Sequence, residues 1–101
     1  MNLGNAIKTL RQKQKIKQNA LADLCGISQT YLSQIENNAK EPNISTLRVI
    51  SKKLHVPLPI LFFLSLDEKD VRPDRRIAYN HIAPSIKSMI SEFFTNMSTN
   101  D

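Results

Sequence analysis

The sequence predicts an all-α chain: five short helices in one small domain, with an additional helix at the C-terminal end. Three observations carry that reading. Apolar residues recur every three or four positions through most of the chain. Helix start and stop residues fall where those runs begin and end, with Gly26, Ser28 and Asn43 the clearest. Only two glycines and no tryptophan occur in 101 residues, a composition that fits a compact helical protein.

Taken in order, residues 3–14 predict a first helix with Leu3, Ile7 and Leu10 on one face. Lys13, Lys15 and Lys17 bracket the entry to the second, with Ile16 between them as a core contact. The second helix runs from Gln18 to Cys25, with Leu21, Leu24 and Cys25 expected on its inner face. Gly26 then supplies a turn residue that takes a positive φ cheaply, and Ile27 returns to the core. Ser28 caps a third helix, since its hydroxyl can accept from an orphan N–H of the first turn. Leu32 and Ile35 form that helix's apolar edge. Its other face is Gln29, Thr30, Ser33, Gln34 and Asn37, polar and uncharged, where a merely solvated helix more often carries Lys and Glu. Such a face suits hydrogen bonding to base edges in a DNA major groove. Asn37 and Asn38 end the helix. Asn43 caps a fourth over residues 44–54, with Leu47, Ile50 and Leu54 inward. Pro57 and Pro59 lead into a fifth, ending near Leu66, which is too apolar all round to stand exposed; its surplus predicts a second buried surface.

The spaced residues Gln18, Leu21, Ala22, Gly26, Ile27, Ser28, Leu32, Ile35 and Glu36 resemble the Cro/C1-type helix-turn-helix (XRE) family of phage repressors and bacterial regulators. The resemblance covers roughly the first two thirds of the chain. It implies a five-helix lambda-repressor-like DNA-binding domain over residues 1–66, with the helix-turn-helix at 18–37. It implies that Gln29, Thr30, Ser33 and Gln34 read bases. Lys13, Lys15, Lys17, Gln18, Ser28, Tyr31, Asn37 and Lys40 are the expected phosphate contacts, although Tyr31 could equally pack locally. It further implies an ion pair of Arg11 with Glu36. Three positions depart from the family pattern. Lys17 stands where a Ser or Thr cap is usual, and a phosphate at that helix end would offset the lost cap. Asn38 and His55 stand where Gly is usual, and both residue types tolerate the left-handed conformation.

Charge agrees with this division. Residues 1–66 carry nine Lys or Arg against three acids, whereas residues 67–101 carry five against six. The basic excess sits with the helix-turn-helix, as an anion-binding surface requires. Residues 67–82 read as a charged linker. Ile82, Ile86, Met89, Ile90, Phe93 and Met97 then keep helical spacing, so residues 83–101 predict an amphipathic helix with Pro84 in its first turn. That helix either folds back on the fifth or pairs with its mate; dimerisation through it, or through Phe62 and Phe63, is the expectation. Cys25 alone excludes an internal disulfide. Two scattered histidines make no metal site, and no catalytic set or phosphate loop is present, so neither enzyme nor cofactor is expected. The absence of a long apolar run or signal layout predicts a cytoplasmic, nucleoid-associated protein with no membrane or small-molecule partner. The function expected is a dimeric repressor on a palindromic operator in double-stranded DNA. The alternative is an antitoxin that also holds a toxin through its C-terminal region.

Overall fold

A computed structural model describes residues 1–96 of the chain; Met97 and the residues after it lie outside the description. Six α-helices appear: α1 (Leu3–Lys13), α2 (Gln18–Cys25), α3 (Gln29–Glu36), α4 (Ile44–Lys53), α5 (Leu58–Ser65) and α6 (Arg76–Asn96). Two 3₁₀ turns, Glu68–Asp70 and Pro73–Arg75, precede α6. The first five helices pack around one core. Its fully buried side chains include Ile7, Leu10, Leu21, Leu32, Ile35, Ile50, Leu54 and Leu61, so α1 to α5 all contribute.

Local chemistry accounts for the boundaries. Asn2, Ser28 and Asn43 cap α1, α3 and α4, each side chain accepting from a backbone N–H three residues on. Lys17 caps α2 without a side-chain hydrogen bond. Gly26 closes α2 at φ +69, and Asn38 ends the α3 segment at φ +59. Lys15 and His55 also adopt left-handed backbone, at φ +59 and +61. For His55, which is exposed, relief of left-handed strain outweighs the added flexibility of glycine in the unfolded chain. His55→Gly is therefore expected to raise stability by about 0.5–1 kcal/mol. The check is a thermal melt, where the midpoint should rise by several degrees; a lowered midpoint would show that the imidazole makes a contact worth more than the strain.

The inner face of α2 differs from expectation. Leu21 and Ala22 are buried and Cys25 packs against the core, but Leu24 is exposed. At about 100° per residue the core-facing arc takes positions 21, 22 and 25, and 24 falls on its far side. Burial pushes the Cys25 thiol above its usual range, with Lys53 opposing in part, as a packed and unreactive thiol requires.

The stretch read as a linker is largely built into the fold, and α6 begins at Arg76 rather than near Pro84. Side chains of α6 satisfy the backbone that precedes it. Arg76 donates to the carbonyls of Glu68 and Val71, and Tyr79 and Lys87 both donate to that of Leu66. Asn80 adds a bond to the Glu68 carboxylate (2.9 Å). These bonds fix the first turns ahead of Pro84. The proline forfeits only the bond to the Asn80 carbonyl, at a position open to water. The Met1 ammonium reaches Asp67 (3.2 Å) and Asp70 (2.8 Å), and holds the Asp70 carboxyl below its ordinary range. Among the described residues no helix is long and apolar enough to cross a membrane.

Candidate nucleic-acid interface

The polar face of α3 begins from a buried charge. Glu36, at the end of α3, is 1% exposed in its side chain. Arg11 of α1 meets it in two parallel bonds, Nε to Oε2 at 2.7 Å and Nη2 to Oε1 at 2.9 Å, and donates a third from Nη1 to the Ile16 carbonyl at 3.0 Å. This bidentate pair ties α1 to α3 and to the turn before α2. The expected Arg11–Glu36 partnership is thus present.

From Glu36 a chain of bonds runs outward. Gln18, the first residue of α2, donates Nε2 to Glu36 Oε1 (3.0 Å), and its own Oε1 accepts from Gln29 Nε2 (3.3 Å). Gln29 is exposed on α3. The side-chain amide of the candidate base reader is thereby aimed by a buried ion pair two residues away in the chain of bonds. Gln18, Gln29, Thr30, Ser33 and Gln34 line one open depression, to which α6 contributes no residue. All four candidate base readers are brought together there.

The candidate phosphate contacts divide. Lys17 and Gln18 stand at the start of α2, beside one end of that depression. Asn37 and Lys40 stand past the other end, where the Ala39 and Lys40 amides both donate to the Gln34 carbonyl (2.8 and 3.2 Å). Lys15, Lys17, Asn37 and Lys40 are exposed. Ser28 is engaged as the α3 cap, and Tyr31 packs against the core from a half-buried position. Lys13 is placed elsewhere: its ammonium donates to Ser91 Oγ of α6 (3.0 Å), drawn there by a hydroxyl that the linear sequence could not bring near.

Two residues that position α3 were not singled out from the sequence. Gly4 packs so tightly that a Cβ on it would lie 2.4 Å from the Ile35 carbonyl oxygen and 2.5 Å from that of Glu36. Its N–H donates to Asn38 Oδ1 (3.0 Å), while Asn38 Nδ2 donates to Asn2 Oδ1 (2.7 Å). The start of α1 thus clamps the end of α3. Asn2, directly ahead of an apolar run, carried a readable cap signal; Gly4 carried none, because the close approach is between segments far apart in the chain.

A sequence model of the helix-turn-helix family matches residues 7–61, from the middle of α1 to α5. The chain belongs to that family, in its Cro/C1 type. It is 28% identical over 80 residues to the immunity repressor protein of Bacillus phage phi105, covering 79% of this chain and 53% of that one. It is 39% identical over 59 residues to the ImmF control region 10 kDa protein of the same phage, covering 58% and 66%. It is 40% identical over 52 residues to repressor protein C2 of Salmonella phage P22, covering 52% and 24%. The chain therefore spans from about a quarter to two thirds of the length of these relatives. No solved structure matches it significantly. The matched span contains α2 and α3, and the depression lies on α3 and the start of α2. Among the described residues no group of three or more His, Cys, Asp and Glu side chains could hold a metal ion.

Proposed function

We propose that the chain is a sequence-specific, non-enzymatic DNA-binding transcriptional regulator, a repressor that sets α3 in the major groove. The observation that carries this is the uncharged amide-and-hydroxyl face of α3, exposed at Gln29 and Thr30 and half-buried at Ser33 and Gln34, anchored through Gln18 to a buried ion pair and left clear of α6. Family membership and the names of the phage relatives support the same reading. Gln29, Thr30, Ser33 and Gln34 read base edges; glutamine meets adenine at two points, for about 1–3 kcal/mol of discrimination. Lys15, Lys17, Asn37 and Lys40 grip phosphates on either side, which sets register without reading sequence. One copy of α3 reads only a few base pairs. The binding unit is a two-fold pair on a palindrome, with half-sites about one helical turn, roughly 34 Å, apart.

The test is selection of a preferred duplex from a random library, followed by titration with two variants. Gln29→Ala relaxes preference at one base pair by about 1–3 kcal/mol and leaves binding to unrelated DNA intact. Lys40→Ala weakens binding to every sequence and lowers the salt-dependence slope by about one. Uniform weakening by Gln29→Ala, or an unchanged slope for Lys40→Ala, refutes the assigned role. Failure to select any duplex refutes the function.

A further inference from the structure

α6 meets the body of the protein with hydroxyls. Ser91 and Thr95 are buried, whereas Ile82, Met89 and Phe93 are more than half exposed. A helix that docks for stability alone buries the opposite set. Between α6, α1 and α5 this leaves a cleft of about 250 Å³. Asn5, Thr9 and Lys13 line it from successive turns of α1, and Ser88 and Ser91 line it from α6. Leu10 and Leu64 supply an apolar wall.

The polar groups in this cleft are short of acceptors. The Lys13 ammonium donates to Ser91 Oγ (3.0 Å) and meets no carboxylate among the described residues. Ser91 is only 6% exposed, yet its own O–H donates to no acceptor among the described residues. The hydroxyls of Thr9 and Ser88 and the side-chain amide of Asn5 also make no hydrogen bond among those residues. No Asp or Glu lines the cleft. Its second cation, Lys87, has its ammonium on the Leu66 carbonyl at the border. Buried polar groups ordinarily find partners. A buried hydroxyl hydrogen and an ammonium without a counter-charge, side by side, are completed by a negatively charged acceptor.

From this we infer that the cleft binds a small anion, an organic phosphate or carboxylate, whose oxygens accept from Lys13, Ser91 and Thr9. The size sets the class: about 250 Å³ lies just below the roughly 300–1,000 Å³ of sites for drug-sized ligands, so the occupant is compact. It is not the DNA backbone, because the cleft shares no residue with the depression on α3. The sequence alone predicts no small-molecule partner, since Lys13 and Ser91 are 78 positions apart and only the docking of α6 joins them. Such a site is independent of whether α3 reads DNA.

The experiment is a titration of the full chain with inorganic phosphate, and separately with acetate, at constant ionic strength, followed by the backbone amide resonances. The resonances of residues 9, 13, 88 and 91 are expected to shift and saturate, with a Kd on the order of 1 mM for so few ligand atoms. Saturation by either anion upholds the site, and the tighter of the two identifies the head group. Thr9→Val and Ser91→Ala remove a hydroxyl without changing charge, and circular dichroism should show both folded. Each is expected to weaken binding on the order of 10-fold, as is Lys13→Gln. Lys52→Gln, which removes an exposed cation outside the cleft, should leave the affinity unchanged. Shifts that never saturate, or that fall only on Lys15, Lys17 and α3, overturn the inference. So do hydroxyl variants that bind as tightly as the wild type, or an equal loss in Lys52→Gln, which would show diffuse attraction only. A chain that saturates with phosphate in the cleft but binds no duplex at low salt upholds the site and overturns the proposed function.

Discussion

Arg11→Ala is expected to lower stability by about 3–5 kcal/mol, a large share of the roughly 5–15 kcal/mol available to a domain of this size. The loss comes less from the missing pair than from what remains. Glu36 stays almost fully buried, with Gln18 as its one remaining side-chain partner, and the Ile16 carbonyl loses its donor. Urea unfolding followed by helicity measures it directly: the midpoint falls while the slope holds. Replacing both partners, as Arg11→Met with Glu36→Leu, removes the stranded charge and should recover most of the loss. That double variant also removes the acceptor that anchors Gln18, so its discrimination among DNA sequences should weaken even though it folds. If the single and double variants were equally unstable, the pair would be contributing shape and not charge.

Gly4→Ala is expected to destabilise by about 1–3 kcal/mol despite alanine being the better helix former by roughly 1 kcal/mol. The added methyl would stand 2.4 and 2.5 Å from two carbonyl oxygens of α3 and 2.7 Å from Asn38 Oδ1. The carbonyls are backbone and cannot swing aside, so α1 and the end of α3 must separate. The hydrogen bond from the Gly4 N–H to Asn38 lengthens with them. A drop of roughly 4–8 °C in melting midpoint per kcal/mol lost is the direct readout. A raised midpoint would mean that the contact between α1 and α3 is loose. Because Asn37 and Lys40 follow that same end of α3, DNA affinity should fall with stability, which a surface Gly→Ala change would not cause.

The first five helices were legible because their signals are local. Ser28 and Asn43 cap through their own next turn, Gly26 and Asn38 close helices through their own backbone angles, and the apolar spacing of Leu47, Ile50 and Leu54 needs no knowledge of what they meet. The polar face of α3 was legible for the same reason, since side chains one turn apart share a face. The C-terminal third was not. Residues 67–82 lack a strong apolar period, and their order depends on Arg76, Tyr79 and Asn80 finding carbonyls and a carboxylate at 66, 68 and 71.

The order of amino acids by itself determined the all-helical class, the place of each of the first five helices, the motif and the face it presents, because each follows from turn-by-turn chemistry within a few residues. Only tertiary structure decided that Lys13 serves α6, that Gly4 must be glycine, that Gln18 links Glu36 to Gln29, and that α6 turns its small residues inward. Those outcomes depend on the separation between atoms that are distant along the chain. Periodicity shows that a helix has an apolar stripe; it does not show which way the packed body leaves that stripe facing.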